Sequence, residues 1–199
     1  MSALPNLSPS EPCRLVPGCD FGPSLPLNTG ETTAILSWDG TGATTLHEII
    51  AAHKGPVATI TADPRLDPSR TIGQHLAGRH RVDEVAASLG LVGREHERFG
   101  ELSEAMQQRV QVCRELASGA ELVAAFDPFV RLADRDARML QVVLRAAAAE
   151  CGRSVVYATG DAETAARAHR AVVVRRSRII ADLRGATGTE LSGRLVFAR

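Results

Sequence analysis

Short apolar segments alternate with longer amphipathic ones along most of this 199-residue chain, and the alternation constrains the fold more than any other feature. Five segments are rich in apolar and β-branched side chains, as buried strands are: residues 32–37, 57–61, 121–126, 154–159 and 171–174. Five others are typical of helices: residues 43–53, 82–91, 103–116, 134–151 and 162–169. The pattern predicts an α/β domain with a mostly parallel sheet and helices on both of its faces.

The chain divides into three parts by composition and pattern. Residues 1–30 contain six of the ten prolines and little periodicity, which predicts an irregular arm or loosely paired edge strands. Residues 31–183 are predicted to form the α/β domain, with a small helical insert at about 75–118. Residues 184–199 are predicted to be a C-terminal tail, in which residues 195–197 form one more strand.

Composition argues against several classes of protein. The 23 Lys and Arg side chains balance 23 Asp and Glu side chains, so no overall positive field attracts nucleic acid or an anionic membrane. No apolar run approaches the ~20 residues that cross a bilayer, and Met1 to Ser10 lack the pattern of a secretory signal. The four cysteines form no CxxC pair, which favours free thiols over a metal site. We therefore expect a cytoplasmic protein without direct membrane insertion.

A glycine turn joins the first predicted strand to the first predicted helix: Ser37-Trp38-Asp39-Gly40-Thr41-Gly42-Ala43-Thr44-Thr45. This is the layout of a nucleotide phosphate loop, in which backbone N–H groups converge on phosphate at a helix N-terminus. The usual pattern is Gly-x-x-x-x-Gly-Lys-Ser/Thr. Gly42 and Thr44 fit this pattern, whereas Ser37 replaces the first glycine and Ala43 stands at the lysine position. Taken alone, such a segment is more often a plain strand-to-helix turn.

Two segments rich in arginine are predicted to have structural roles on the surface. One set of charged residues lies at helical spacing and predicts a solvated face of ion pairs: Arg131, Asp134, Arg135, Asp136 and Arg138. The other is residues 175–178, which predict a surface turn between two strands.

Four further segments follow the glycine turn in a characteristic order. They are Asp63-Pro64-Arg65-Leu66-Asp67-Pro68-Ser69-Arg70-Thr71-Ile72-Gly73, Leu102-Ser103-Glu104-Ala105-Met106-Gln107-Gln108-Arg109-Val110, Glu121-Leu122-Val123-Ala124-Ala125-Phe126-Asp127-Pro128 and Val155-Val156-Tyr157-Ala158-Thr159-Gly160-Asp161. Together they resemble the ATP-binding-cassette (ABC) ATPases, and most of all the ATPase subunits of oligopeptide, dipeptide and nickel importers. The resemblance covers residues 27–183. It implies a P-loop NTPase-like fold with a reduced N-terminal antiparallel β region.

The resemblance also implies which residues would contact ATP and Mg²⁺. The degenerate phosphate loop consists of Gly40, Thr41, Gly42, Ala43, Thr44 and Thr45. Thr44 stands where the family places the hydroxyl that ligates Mg²⁺. Ala43 lacks the ammonium group with which the family grips the β- and γ-phosphates.

Other positions depart further from the family pattern. Ala62 stands at the glutamine of the family's Q-loop. The signature segment consists of Ser103, Glu104, Ala105, Met106 and Gln107. Two glycines of the family's signature, which approach the γ-phosphate of the opposing subunit, are replaced here by Glu104 and Ala105. A carboxylate at that place would repel phosphate.

The last two motifs would supply the catalytic groups. Phe126 stands at the family's Mg²⁺-supporting aspartate, and Asp127 replaces the general-base glutamate with a shorter side chain. Gly160 stands at the switch histidine, while its neighbour Asp161 matches the family. The structural alternatives are that Phe126 is a core residue at a strand end and that Asp127 belongs to a turn with no catalytic duty.

We therefore expect an ABC transporter ATP-binding-subunit-like protein associated with a peptide- or nickel-type importer, with ATP hydrolysis lost or severely impaired. ATP and Mg²⁺ would bind weakly or not at all. Its partners would be an ABC permease and a second cassette subunit, at the inner face of the plasma membrane. One alternative is a cassette-fold protein-binding or regulatory scaffold that is not coupled to transport. Another is an ATPase that is still active through substitute residues.

Overall fold

Six strands form one sheet in the computed structural model, which describes residues 25–79 and 81–197. The strands are β1 (Thr32–Leu36), β2 (Val57–Thr61), β3 (Leu122–Phe126), β4 (Ser154–Thr159), β5 (Arg170–Arg175) and β6 (Arg178–Arg184). Their order is β2-β3-β4-β1-β5-β6, and all neighbouring pairs are parallel except β5 with β6. The predicted α/β architecture with a mostly parallel sheet is confirmed.

Helices cover both faces of this sheet. They are α1 (Thr41–Ala52), α2 (Ile72–Leu76), α3 (Val82–Ser88), α4 (Glu104–Leu116), α5 (Asp134–Cys151), α6 (Ala162–Ala166) and α7 (Gly188–Phe197), with a 3₁₀ turn at Phe99–Glu101. In the described ranges, none of these helices combines the length and apolarity that crossing a membrane requires.

The central strands are buried on both faces because their side chains alternate between two apolar clusters. Ile35 of β1 belongs to the cluster beneath α1, with Leu46 and Ile49 of that helix. Its neighbours Ala34 and Leu36 belong to the larger cluster on the opposite face, which includes side chains of α4, α5 and α6. Strands covered on both sides read as continuous apolar runs, which explains why the sequence pattern located them well.

β5 and β6 form a hairpin on one side of the sheet, and β6 is the outermost strand. Along β6 the side chains are mostly exposed or half-buried, unlike those of β5. Arg176 and Ser177 form the turn between the two strands, with φ angles of 49° and 58°. The predicted surface turn at residues 175–178 is confirmed, and it places two non-glycine residues in the left-handed region.

Four helical elements occupy the middle of the chain, from α2 to α4. The helix α4 packs against β2, where the Gln108 side-chain amide donates to the Thr61 carbonyl at 3.1 Å. Gln111 Nε2 donates to the Thr61 hydroxyl at 3.2 Å. The helical insert at 75–118 stays a prediction as a separate unit, although helices do occur along that segment.

The prediction of a strand at residues 195–197 is wrong, because this segment ends the helix α7. Thr187 and Glu190 explain the helix: the Glu190 carboxylate accepts from the Thr187 N–H at 2.8 Å, and the Thr187 hydroxyl accepts from the Glu190 N–H at 3.3 Å. This reciprocal pair is a capping box, visible in the sequence as Thr-x-x-Glu. Leu191, in the first turn, is fully buried. Most of the predicted arm, residues 1–24, lies outside the described residues.

Candidate functional site

The three loops that carry the predicted catalytic positions meet at one edge of the sheet. Because β3, β4 and β1 are parallel neighbours, their carboxyl ends point the same way, and ligands of open α/β sheets bind at such an edge. The Ser37 N–H donates to the Thr159 carbonyl at 3.1 Å, and the Asp127 N–H donates to the Ala158 carbonyl at 3.2 Å. The glycine turn, Asp127 and Gly160 are thereby brought together.

Local geometry favours glycine at both positions of the turn. Gly40 immediately precedes α1 with φ 79°, in the left-handed region that glycine tolerates best. Gly42 lies against the end of β1, where an added Cβ would stand 3.1 Å from Ser37 Cβ and 3.5 Å from the Ile35 side chain. A tight strand-to-helix connection is therefore sufficient to explain the glycine pattern.

The first turn of α1 offers few groups to a phosphate ligand. Thr45 is buried and its hydroxyl donates to the Thr41 carbonyl at 3.1 Å, so it serves the helix. The Thr44 side chain is exposed and remains the candidate hydroxyl for Mg²⁺. Ala43 is half-buried and presents only a methyl group at the position of the family's lysine.

The Asp39 carboxylate lies within the turn and accepts four hydrogen bonds. Its Oδ1 accepts from the Ser37 hydroxyl at 2.6 Å, the Thr41 hydroxyl at 2.5 Å and the Thr41 N–H at 3.1 Å. Its Oδ2 accepts from the Arg176 N–H at 2.8 Å. The bonds from Ser37, Thr41 and Arg176 hold the pKa of Asp39 far below its usual range. Sequence analysis did not single out Asp39, although an aspartate two residues before a helix start is a known turn-forming signal.

Phe126 fills the position where the family resemblance requires a metal-supporting carboxylate. Its ring is half-buried and stands 4.5 Å, centroid to centroid, from the His47 ring of α1. It also packs against the apolar cluster beneath α1, which agrees with the structural alternative of a residue at the border of the core. Within residues 25–79 and 81–197, no three His, Cys, Asp or Glu side chains are arranged to hold a metal ion. A phenyl ring has no oxygen, so Phe126 does not supply the carboxylate that the family resemblance places here to support Mg²⁺.

Asp127 follows β3 in a strained backbone conformation. Its φ is 45°, and its carbonyl accepts from the Val130 N–H at 3.2 Å, so it opens a tight turn. Its side chain borders a cavity of about 310 Å³ that is also lined by Phe129, Thr159 and Gly160. Partial burial raises the pKa of the Asp127 carboxyl. These contacts support the interpretation of Asp127 as a turn residue. Its carboxyl also lies at the edge where β1, β3 and β4 end.

The two residues after β4 differ in what they do. A Cβ added to Gly160 would meet only the Ser37 carbonyl oxygen, at 3.6 Å, so the space for a larger side chain is open. Asp161 caps α6 by accepting from the Thr164 N–H at 2.8 Å. Burial opposes its ionisation, but hydrogen bonds from Thr164 and the Glu163 N–H outweigh this and lower the pKa of Asp161. The match of Asp161 to the family is therefore explained by helix capping.

The signature segment serves the start of α4. The Ser103 hydroxyl accepts from the Met106 N–H at 3.4 Å, and the Met106 side chain is buried. Gln107 Nε2 donates to the carbonyls of Phe99 at 3.1 Å and Leu102 at 3.3 Å. These contacts fix the connection before α4, and Glu104 and Ala105 begin the helix with exposed or half-buried side chains.

Ion pairs link this segment to the loops that follow β2 and β3. Arg131 bonds to the Glu104 carboxylate and lies 3.4 Å from the Asp63 carboxylate, while Arg109 bonds to Asp136. The prediction of ion pairs confined to residues 131–138 is wrong for Arg131 and Asp136. Arg131 lies in the loop after β3, which folds onto the start of α4, whereas Asp136 lies in α5, which packs against α4. Such pairs could not be read from helical spacing.

Sequence comparisons agree with the fold. No family model matches the chain. The macrolide export ATP-binding/permease protein MacB 1/2 of Paracoccus denitrificans (strain Pd 1222) is 40% identical over 108 residues, covering 54% of this chain and 16% of that protein. MacB of Hyphomonas neptunium (strain ATCC 15444) is 28% identical over 200 residues, covering 81% of this chain and 31% of that protein. The chain therefore spans less than a third of the length of either relative.

Solved structures show the same architecture. An ATP-binding subunit of an ABC transporter superimposes with a TM-score of 0.69 at 21% identity, covering 85% of this chain and 90% of that one. An ATP-binding cassette dimer bound to ADP and Pi gives a TM-score of 0.66 at 18% identity, covering 81% and 88%. This chain has the P-loop α/β fold of ABC ATPase domains, and its sequence is similar to the ATP-binding/permease proteins of macrolide export.

Proposed function

We propose that this chain is an ABC transporter ATP-binding-subunit-like protein in which ATP hydrolysis is lost or severely impaired. The observation that carries the proposal is the Phe126 ring packed against His47 at the edge where β1, β3 and β4 end. A phenyl ring offers Mg²⁺ no oxygen ligand and no negative charge. Phosphoryl transfer depends on a bound metal ion and on a cationic side chain next to the phosphates, because its catalysis is mostly positioning and charge stabilisation.

The loss of the loop lysine weakens nucleotide binding first. Ala43 cannot donate the charge-assisted hydrogen bond that a lysine gives to the β- and γ-phosphates. A hydrogen bond to a charged group is worth roughly 2 kcal/mol. ATP and Mg²⁺ are therefore proposed to bind weakly or not at all, with Thr44 as the remaining hydroxyl near the loop.

The remaining groups do not assemble a catalytic set. The Asp127 carboxyl can accept a proton, but its side chain is one methylene shorter than glutamate, and misplacing a base by about 1 Å costs on the order of a hundredfold in rate. Gly160 has no side chain with which to sense the γ-phosphate. The Glu104 carboxylate bonds to Arg131, which offsets its charge in part, but it gives a phosphate of an opposing subunit no hydrogen-bond donor.

Calorimetric titration with Mg-ATP tests the binding part of the proposal. The expected dissociation constant of the wild-type protein is in the high micromolar range or weaker. Ala43→Lys should tighten binding about tenfold or more, which corresponds to roughly 1.4 kcal/mol. Ala51→Lys adds the same charge at an exposed position of α1 and is the matched control. Low-micromolar binding by the wild type would contradict the proposal.

Turnover measurements test the catalytic part. Phosphate release by the wild-type protein, alone or mixed with a cassette partner, should equal that of a buffer control. Asp127→Glu should remain at background, because repairing one member of a failed set gains little. If the mixture is active and Asp127→Ala lowers its rate clearly, Asp127 is a working base and the proposal fails.

The partners are proposed to be an ABC permease and a second cassette subunit, on the cytoplasmic side of the membrane. The sequence resemblance favours a peptide- or nickel-type importer as the associated system, whereas the relatives described above are named macrolide exporters. Co-purification of a permease with the tagged chain, followed by identification of the permease, tests both the coupling and the class of transporter. Isolation of the chain without any permease would favour the alternative function.

The alternative is a protein-binding or regulatory scaffold that is not coupled to transport. An apolar groove of about 390 Å³ between α3 and α5 favours it, lined by Val85, Leu116, Met139 and Val142 among others. Val142, in the middle of α5, is 66% exposed and is accessible to a partner at this groove. Val142→Glu separates the two functions, since a scaffold that uses the groove would lose its partner while any permease bound elsewhere would be retained.

A further inference from the structure

We infer that the Asp39 carboxylate is an internal anion that closes the phosphate loop of this chain to free phosphate. The inference rests on the proposed function, because it takes residues 37–45 as the phosphate loop. It goes beyond the missing lysine at Ala43, since it identifies a group that competes with phosphate for the same donors.

The donors around Asp39 are those that a phosphate oxygen would take. They are two hydroxyls, from Ser37 and Thr41, and two backbone N–H groups, from Thr41 and Arg176. Thr41 is the first residue of a 12-residue helix, where the N–H group and the helix dipole favour an anion. Both carboxylate oxygens are used, so these donors are already satisfied before any ligand arrives.

The contact with Arg176 ties the loop to a second element. Since β5 pairs with β1, with Leu36 opposite Val173, the β5–β6 turn lies beside the loop. Arg176 and Ser177 both hold positive φ angles, which cost energy in non-glycine residues. The Asp39 Oδ2 accepts from the Arg176 N–H in this strained turn and so stabilises it. Displacing the carboxylate would release both the loop and the turn.

The carboxylate is a permanent competitor under ordinary conditions. The hydrogen bonds from the Ser37 and Thr41 hydroxyls and from the Arg176 N–H lower the pKa of Asp39, so it remains ionised at neutral pH. It is also tethered two residues before the first residue of α1, so it competes at a high effective concentration, whereas a free phosphate must lose entropy on association.

The test is anion binding by Asp39→Ala, with Glu48→Ala as the matched control. Glu48 is an exposed carboxylate on α1, so its loss changes the net charge equally without touching the loop. Pyrophosphate without metal is titrated into each protein by calorimetry at one ionic strength. Asp39→Ala should bind pyrophosphate about tenfold or more tightly than the wild type, because the loop donors become free. Glu48→Ala should bind like the wild type.

A second measurement shows whether tighter pyrophosphate binding arises from release of the Asp39 contacts or only from the change in net charge. Amide hydrogen exchange at Arg176, followed by NMR, should be slow in the wild type and accelerated in Asp39→Ala without any ligand. If Asp39→Ala does not fold, Asp39→Asn is used, which keeps the size of the side chain and removes its charge.

The inference is overturned if a folded Asp39 variant gains no affinity for pyrophosphate, or if Glu48→Ala gains as much. It is also overturned if exchange at Arg176 is unchanged in Asp39→Ala. The proposed function would be contradicted by different results, namely tight Mg-ATP binding or turnover by the wild-type protein. An inactive wild type whose Asp39 variants gain nothing would leave the proposed function standing and remove this inference alone.

Discussion

The interior of the sheet and its carboxyl edge follow different rules. Strands β1, β3, β4 and β5 are buried along almost their whole length, with apolar side chains that fill two clusters. The edge where three of these strands end includes Ala43, Phe126, Asp127 and Gly160, which depart from the motifs of the ABC ATPases that the sequence resembles. Burial of apolar area stabilises the fold without help from the edge, so the fold does not require the chemistry of a phosphoryl-transfer site.

Phe126 lies where the two regions meet. It is the last residue of β3, and it packs against α1 where the family resemblance requires a carboxylate. An aromatic ring at this border extends the apolar cluster into the edge. Inside the sheet, side-chain volume and hydrophobicity therefore limit which amino acids are tolerated. At the edge, the hydrogen-bond donors and charges that a ligand would need impose the limit.

The largest expected effect concerns the two described cysteines. Burial raises the pKa of the Cys113 thiol to about 12, and its side chain is fully buried. The pKa is raised, so the thiol stays neutral as pH increases through the neutral range. Cys151 is half-buried at the border of the α3–α5 groove. At pH 8, Cys151 should be alkylated roughly a thousandfold faster than Cys113, because only the thiolate reacts.

Peptide mapping by mass spectrometry after timed alkylation measures this ratio. Denatured protein is the control, since both thiols should then react at similar rates. Equal rates in the native protein would show that the interior opens readily and that burial does not protect the Cys113 thiol.

The second expected effect compares two side chains that are two positions apart. Leu36 ends β1 and is fully buried, whereas Trp38 lies in the turn and is 56% exposed. Leu36→Ala should lower the free energy of unfolding by about 3 kcal/mol through lost burial and a residual cavity. Trp38→Ala should lower it by less than about 1 kcal/mol. Urea unfolding measures both, and similar losses would contradict a sharp border after β1.

A smaller effect is expected where the backbone of the edge is constrained. Gly40→Ala adds a Cβ that meets no atom within 4 Å, so its cost arises from the φ of 79° alone. The expected loss of stability is about 1 kcal/mol. Gly193→Ala is the control, because its Cβ also meets nothing and its position in α7 favours alanine. A destabilised Gly193→Ala protein would show that the comparison does not isolate the φ angle.

The smallest effect is expected for a substitution that restores a family side chain. Gly160→His should change the free energy of unfolding by less than about 0.5 kcal/mol, because the nearest atom to the new Cβ is the Ser37 carbonyl oxygen at 3.6 Å. Thermal unfolding measures the change, and Gly42→Ala is a contrasting variant, since its Cβ would crowd Ser37 at 3.1 Å. A strongly destabilised Gly160→His protein would show that the edge has no room for a histidine side chain at this position.

The strands β1, β3, β4 and β5 were predicted well because burial on both faces leaves a continuous apolar signal, whereas the exposed β6 was not given bounds. Sequence reasoning mistook residues 195–197 for a strand because a short apolar run does not distinguish strand from helix, and the Thr187–Glu190 capping box was overlooked. It also paired Arg131 with near neighbours, although Glu104 and Asp63 are its partners. Ion pairs between distant segments depend on how loops fold over one another, which local spacing does not encode.

The sequence by itself determined the α/β class, the strand-to-helix turn and the identities of the residues at the candidate site. Local periodicity is enough for these, because side-chain spacing along a strand or helix is set by backbone geometry. Only the tertiary structure decided that the Asp39 carboxylate meets the Arg176 N–H and that the Phe126 ring meets His47. Those contacts join residues from separate elements, and they exist because the order of strands in the sheet brings the elements to one edge.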